Sequence, residues 1–345
     1  MHRNKMDSIV VLGNRYNRED FHILGVQFVS VKYNPHNKLI CIFWELYLVT
    51  VALKKLNADR VLFPRGFAPL LHPTEDYVII HDMIPFYYDR KFPGILNPLE
   101  NFYIMWRLKA SVRYSHGVIT DSNASKEEIL RITKAAEEKV RVIYPGQNRM
   151  ETQRHSKETS IPAELEMLKD MDYISAMASG LPHKNAEGIL KSYEEYCHKR
   201  TEPMRLVMIG LENIDAFSVP DEIKKHIICI KYLEEDTQMY QVIRGSRIFL
   251  FLSLQEGFGF PPLEAMQLGV PVVCSNVSSV PEVVGDAAVL VNPNDAEQVA
   301  DQLLRLETDR ELCGQYITKG YRNAERFLWE RRIGEYEKLL FGRKH

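Results

Sequence analysis

Short β-branched and aliphatic runs alternate with longer helical patterns along almost the whole chain, and this alternation constrains the fold more than any other property of the sequence. Such alternation builds βαβ units, and βαβ units build parallel sheets covered by helices on both faces. The strand signals of the first half are Ser8–Leu12, Gln27–Lys32, Arg60–Phe63, Tyr77–Ile80, Gly117–Thr120 and Val140–Ile143. Those of the second half are Tyr173–Ala178, Arg205–Ile209, Ile227–Ile230, Ile248–Ser253, Val270–Ser275 and Ala288–Val291. The intervening periodicity predicts helices over Leu39–Leu56, Pro98–Ser115, Ser125–Lys139, Asn185–Lys199, Thr237–Gly245, Pro262–Leu268, Asp295–Glu307 and Asp309–Phe327. Pro98 suits a first helical turn, and Ser125-Lys126-Glu127-Glu128 has the spacing of a capping box. The polar stretch Gly146–Pro162 separates the two runs. The 345 residues are enough for two doubly wound domains, whose ligands sit beyond the carboxyl ends of the strands.

Charge narrows the function classes. Lys and Arg number 44 against 46 Asp and Glu, so a general nucleic-acid binder, which must neutralise phosphates, is excluded. The balance is uneven: residues 1–160 carry 23 basic and 17 acidic side chains and the remainder 21 and 29, so the first half is the one expected to meet something anionic. The five cysteines are scattered without metal-ligand spacing and read as reduced thiols of a cytoplasmic protein. No signal peptide is expected at Met1–Asp7. Leu39–Leu56 carries Glu45 and ends in Lys54 and Lys55, which makes it a buried helix rather than a membrane span.

Three constellations carry chemistry. Glu256-Gly257-Phe258-Gly259-Phe260 follows a predicted strand and leads through Pro261 and Pro262 into a helix containing Glu264. Strand, glycine loop and helix start form an anion site, because loop amides and the helix dipole point at whatever binds. Two carboxylates eight residues apart would repel a diphosphate but accept hydrogen bonds from hydroxyl groups on either side of it, as in a nucleotide sugar. The alternative is that Glu264 only complements the helix dipole and Glu256 is solvated. Lys184 and Asn185, in Gly180-Leu181-Pro182-His183-Lys184-Asn185, stand at a second strand-to-helix junction, where Lys184 can neutralise a departing phosphate or simply be solvated. His81-Asp82 ends the apolar run Val78–Ile80, with His81 able to bind a sugar hydroxyl and Asp82 to fix its ring.

Together these residues resemble the retaining glycosyltransferases of the GT-B fold, group 1 or family 4, closely across Tyr173–Phe327 and more loosely across Tyr77–Pro145. The resemblance implies an α/β protein of two Rossmann-like doubly wound parallel-sheet domains facing a central cleft. Residues 1–160 would form the acceptor side, 161–327 the nucleotide-sugar side, and a helix in 328–345 would return to the first domain. It implies that Glu256 and the amides of Gly257, Phe258, Gly259 and Phe260 hold the donor sugar, that Glu264 holds the ribose, that Lys184 meets the phosphates and that His81 contacts the sugar. Asp82, Asn185 and, for the base, Leu233 complete the expected donor site.

The chain departs from the family pattern in several places, among them Lys231 where a glycine is usual and Leu252–Ser253 where Pro-Ser is usual. No arginine lies between Met171 and Lys184, leaving His183 as a partial substitute, and Val10-Val11-Leu12-Gly13-Asn14-Arg15 has one glycine where relatives have a glycine-rich loop.

The implied reaction is transfer of a hexose or deoxyhexose from a nucleotide diphosphate sugar to a glycan or lipid-linked acceptor, with retention, in bacterial surface polysaccharide synthesis. No metal or other cofactor is expected, the leaving charge being met by Lys184, the loop amides and the helix dipole. Phe86–Tyr114 mixes Phe86, Tyr87, Tyr88, Phe92, Phe102, Tyr103 and Trp106 with Arg90, Lys91, Arg107, Lys109 and Arg113, a composition suited to peripheral contact with an anionic membrane at the inner face of the plasma membrane or to an ordinary amphipathic helix. The competing functions are a non-catalytic GT-B subunit that stabilises an active partner and a GT-B sugar epimerase.

Overall fold

The computed structural model describes residues 9–21, 26–31, 37–72, 74–148, 150, 163–233 and 235–342. Strands form wherever the alternation predicts them: β1 Ile9–Gly13, β2 Val26–Ser30, β3 Arg60–Phe63, β4 Glu75–Ile79, β5 Gly117–Thr120, β6 Val140–Val142, β7 Tyr173–Met177, β8 Arg205–Ile209, β9 Ile227–Ile230, β10 Ile248–Phe251, β11 Val272–Ser275 and β12 Val289–Val291. Ser8, Lys32, Met1–Asp7 and most of the polar stretch Gly146–Pro162 lie outside the described residues. The first six strands divide between two sheets, β1-β2 and β3-β4-β5-β6, while the last six form one sheet in the order β12-β11-β10-β7-β8-β9.

The chain separates into two compact units. The first takes the chain up to Ile80, Trp106–Val118 and the chain from Glu335; the second takes His81–Met105 and Ile119–Gly334. In the first unit β1 pairs with β2 and β3 with β4, both in parallel. Its main helix runs as Lys38–Phe43, a π-helical stretch Trp44–Leu48 and Val49–Leu56, and stops at Asn57 in the left-handed conformation. Val49, Thr50 and Leu53 are buried, but Leu39, Phe43, Tyr47 and Val51 are exposed, so the helix expected to be buried turns one apolar face outward. Arg60 donates to the carbonyls of Leu339 (3.0 Å) and Gly342 (2.8 Å), filling acceptors that the end of helix Trp329–Phe341 leaves open.

The second unit is built on the six-stranded sheet, in which β7, β8, β9, β10, β11 and β12 pair in parallel. The continuous apolar sequence of β10 buries both of its faces, as parallel central strands require. Phe249 and Phe251 pack on one face with Val207, Leu263, Met266 and Val280, while Ile248 and Leu250 pack on the other with Ile189, Tyr193, Val299 and Leu303. Each such side chain contributes about 1.5–3 kcal/mol on burial. Helices Ala186–His198 and Ala296–Thr308 thus cover one face, and Asp236–Gly245 and Phe260–Gln267 the other. The strand order reverses between β7 and β10, which are neighbours although β8 and β9 lie between them in sequence. Open α/β sheets bind ligands beyond the carboxyl ends at such a switch point.

One helix starts elsewhere than expected. Asn123–Thr133 is capped by Ser122, whose Oγ accepts from Ser125 N at 3.0 Å, so the predicted box at Ser125 lies one turn too late. Glu128 meets Gln255 and Arg131 instead of reaching back to a cap, and Lys134 ends the helix in the left-handed region. Pro85 stands in the first turn of the helix Ile84–Lys91, where its fixed φ suits the helix start.

Candidate functional site

The loops that leave β7 and β10 run side by side beyond the switch point. Leu254 N and Ser253 Oγ both donate to the His183 carbonyl, at 2.7 and 3.0 Å, and this seam fixes one loop against the other. Lys184 Nζ then lies 2.6 Å from Glu256 Oε1, with the two side chains 27% and 12% exposed. The ammonium also stands 5.9 Å from the centre of the Phe251 ring. His183, the substitute for a clamp arginine, is unsuited to that part: its ring is buried with Nδ1 2.7 Å from the Tyr88 hydroxyl. Burial and the adjacent Lys184 push its pKa down, toward the neutral imidazole.

Asn185, expected to bind the donor, is occupied by the fold. Held at φ 56°, it caps helix Ala186–His198 by accepting from Gly188 N (3.2 Å), and its Nδ2 donates to the carbonyls of Leu252 (3.0 Å) and Pro293 (3.1 Å). Those three bonds use the oxygen and both amide hydrogens, so Asn185 ties three segments together.

The Glu256 loop is clamped from behind by Ser278 and Ser279. Ser278 Oγ accepts from Glu256 N (3.1 Å) and lies 2.9 Å from the Glu256 carbonyl, and Ser279 Oγ donates to the Phe258 carbonyl at 2.7 Å. Gly257 is required by the protein itself, because a Cβ there would lie 2.3 Å from the His81 carbonyl oxygen. Gly259 has φ +111° at the cap of Phe260–Gln267, a conformation that an L side chain strains to adopt. Phe258 is buried against Phe260 and Phe327, with ring centres 5.0 and 5.3 Å away, and anchors the loop, while Phe260 is more exposed at the helix start.

His81 lies against this loop. Its ring was assigned to Asp82 on sequence, but Nδ1 meets Asp121 Oδ2 at 2.7 Å; the His81 side chain is 54% exposed and Asp121 6%. Asp82 Oδ1 instead accepts from Ile84 N at 2.9 Å. Burial pushes the Asp82 carboxyl up, Glu256 and Asp121 adding to the rise while the Ile84 amide and His81 oppose it. Glu128, linked to Gln255 Nε2 at 3.0 Å, is also raised by burial against the pull of Arg131 and Arg90.

Glu264 lies in the first turns of Phe260–Gln267. Burial pushes its carboxyl up to about 7, the Asp236 charge adds to the shift, and a hydrogen bond from Tyr240 opposes it. Leu233 packs against the adjoining core. Lys231, two residues before it, pairs with Glu212 at 2.6 Å. No metal was expected because no D-x-D motif was evident, yet Asp170 and Asp172 have that spacing; they stand at the amino end of β7, away from Lys184 beyond its carboxyl end. Among the described residues no three His, Cys, Asp or Glu side chains are grouped to hold a metal ion.

Lys184, Glu256, Gly257, His81 and Asp82 therefore belong to one neighbourhood. Sequence reasoning missed Asp121, Ser122, Ser278 and Ser279. Asp121 and Ser122 had a usable signal, since they directly follow the strand Gly117–Thr120 and so stand at a carboxyl end.

The model of the family described as glycosyl transferases group 1 matches residues 157–323. The chain is 28% identical over 302 residues to O-antigen chain mannosyltransferase B of Escherichia coli, covering 80% of this chain and 77% of that protein. It is 26% identical over 326 residues to O-antigen chain mannosyltransferase RfbU of Salmonella typhimurium, covering 88% and 83%. Among solved structures, WaaG, a glycosyltransferase involved in lipopolysaccharide biosynthesis, superposes with a TM-score of 0.66 at 13% identity, covering 93% of this chain and 88% of that one. Anabaena HepE in complex with UDP gives 0.67 at 13% identity, covering 98% and 100%. The parallel sheets and these neighbours make the fold GT-B. Residues 157–323 thus carry the likeness to the glycosyl transferases of group 1, and the two O-antigen mannosyltransferases resemble the chain over most of its length.

Proposed function

We propose that the chain transfers a hexose, with mannose favoured by the names of its relatives, from a nucleotide diphosphate sugar to a glycan or lipid-linked acceptor of a bacterial surface polysaccharide, retaining the anomeric configuration. The observation that carries this reading is the Lys184–Glu256 pair, 2.6 Å apart at the sheet's switch point and beside the helix start Phe260–Gln267. When donor enters, the diphosphate meets the Lys184 ammonium and the helix start, and Glu256 accepts hydrogen bonds from the sugar hydroxyls. Glu264 takes the ribose hydroxyls, and His81, steadied by Asp121, contacts the sugar. The acceptor hydroxyl attacks the anomeric carbon from the side of the leaving diphosphate, whose oxygen receives the proton. No protein base is then needed. Lys184 and the amides meet the leaving charge without a divalent ion, a reading supported by the D-x-D carboxylates standing at the other end of β7.

Peripheral contact with an anionic membrane is part of the proposal. Of the residues expected to make it, Tyr88 and Arg107 are buried, while Phe102, Trp106, Arg90, Lys91, Lys109 and Arg113 are exposed. Leu39, Phe43, Tyr47 and Val51 form a further exposed stripe at helical spacing, with Lys54 and Lys55 at the end of that helix. No helix among the described residues is long and apolar enough to cross a membrane.

A thermal-shift screen against UDP, GDP, dTDP and ADP tests the donor site, since ligand at a hundred times its dissociation constant stabilises by about 2.7 kcal/mol. Stabilisation by one of them, lost in Lys184→Ala, is expected; no shift from any would overturn the reading. Co-sedimentation with vesicles that is indifferent to anionic lipid would remove the membrane contact.

A further inference from the structure

Glu282 stands outside the expected donor set, in the short helix Val280–Val284. Its carboxylate nevertheless gathers four donors. Oε1 accepts from Asn123 N (2.8 Å), Asn123 Nδ2 (2.6 Å) and the Tyr144 hydroxyl (2.6 Å), and Oε2 from Ala124 N (3.2 Å). Tyr144 remains a donor, because burial and the bond to Glu282 push its pKa up to about 12. Asn123 and Ala124 are the first two residues of helix Asn123–Thr133, whose third amide goes to Ser122 Oγ. A carboxylate more than 150 residues away thus caps this helix, where its charge also opposes the helix dipole.

The capped turn leads directly to the site. Asp121, just before it, holds the His81 ring at 2.7 Å. Ser122 Oγ and Ser125 Oγ donate to the Gly257 carbonyl at 2.7 and 3.0 Å, and Ser125 Oγ lies 3.2 Å from the His81 carbonyl. The segment Asp121–Ser125 therefore has three attachments: to His81, to the glycine loop after Glu256, and to Glu282. Asp121 can aim the imidazole at a fixed point beside the loop only while the other two attachments hold the turn still.

We propose that Glu282 is a positioning residue for glycosyl transfer, acting through the Asp121–Ser125 turn to set His81 over the bound donor sugar. The inference rests on the reading of His81 as a donor-sugar contact. Glu282 touches no substrate; its four hydrogen bonds fix where the turn sits. Replacement by glutamine removes one acceptor oxygen and places an amide against Asn123, Ala124 and Tyr144, all of which donate.

The test is a double-mutant cycle of Glu282→Gln and His81→Ala. It follows turnover of the nucleotide sugar whose diphosphate gives the largest thermal shift among UDP, GDP, dTDP and ADP, alongside direct binding of that diphosphate. Glu282→Gln is expected to lower kcat about tenfold while the donor KM and diphosphate affinity stay within about twofold, since Lys184 and Glu256 are untouched. In the His81→Ala background the further loss should shrink to less than about twofold. Additive losses, unchanged kcat, or equal damage to diphosphate affinity would overturn the inference while leaving His81 in place. His81→Ala at wild-type turnover would instead remove the reading beneath it, and the inference with it. Should Glu282→Gln fail to fold, Tyr144→Phe keeps the ring and removes one donor. It is expected to lower kcat about threefold and to be masked in the same way by His81→Ala, and an effect that persists in that background would count against the inference.

Discussion

Lys184 and Glu256 are 72 residues apart in sequence and 2.6 Å apart in space. In the free protein each is the other's counter-ion; in the proposed reaction the same ammonium must turn to a phosphate and the same carboxylate to sugar hydroxyls. Neither side chain supports the sheet, and the loop seam beneath them is made by His183, Ser253 and Leu254. Lys184→Ala and Glu256→Ala are therefore expected to lower kcat by roughly a hundredfold to a thousandfold while circular dichroism remains that of the native fold. Wild-type turnover in both variants would show that the pair is structural.

Gly257→Ala should be more damaging than its size implies. The added methyl would sit 2.3 Å from the His81 carbonyl oxygen and 3.2 Å from the Asp82 Cβ, so the loop or the His81 strand end has to move. Overpacking of this kind costs about 1–3 kcal/mol. Both the melting temperature and the turnover should fall, whereas alanine at Gly314, inside helix Arg310–Ala324 with no neighbouring element within 4 Å, should leave turnover unchanged and raise stability by about 0.5–1 kcal/mol.

The pH dependence of Glu264 has a definite sign. Its carboxyl is raised to about 7 in the folded protein, chiefly by burial, so the native state holds that proton more tightly than the unfolded chain does. This contribution is therefore fully present below the unfolded value of 4.5, declines as pH rises from there, and is lost above about 7. Glu264→Gln should remove that slope from a plot of melting temperature against pH. If ionised Glu264 accepts the ribose hydroxyls, calorimetric affinity for the preferred nucleoside diphosphate should rise on the order of tenfold between about pH 6 and 8 in the wild type, and by less in the variant.

Asn185→Ala is expected to act on stability. It removes a helix cap and two bonds to the carbonyls of Leu252 and Pro293, and it leaves an alanine at φ 56°. A loss of about 1–3 kcal/mol in urea unfolding is expected, with diphosphate affinity unchanged where the variant is folded. Weakened binding at full stability would return Asn185 to the donor site.

The fold and the heart of the site were legible for the same reason: both follow from local order. Strand runs such as Arg60–Phe63 and Ile227–Ile230 appear at the predicted residues because their period and composition are local properties. Glu256, Gly257, Gly259 and Lys184 declared themselves by standing directly after strands. The partners of these residues did not, because pairing across the sheet is written nowhere in the local sequence. His81 was given to its neighbour Asp82 when its partner is forty residues on, and nothing local to Gly257 shows that the His81 carbonyl packs against it. The cap of Asn123–Thr133 was misplaced because Ser122 and Ser125 both fit a cap by type, and only the distant Glu282 and the Gly257 carbonyl decide between them. Helix 38–56 was read from composition as buried, but composition cannot tell which side of an apolar helix will find a neighbour.

Because β10 enters the sheet beside β7 only after β8 and β9 have been laid down on the other flank, a nascent chain emerging from the ribosome presents Lys184 long before Glu256 exists to neutralise it. The Lys184–Glu256 pair can form only once β10 is in place. A translation product interrupted before Ile248 would carry an unmatched lysine and an open strand edge, a species prone to association.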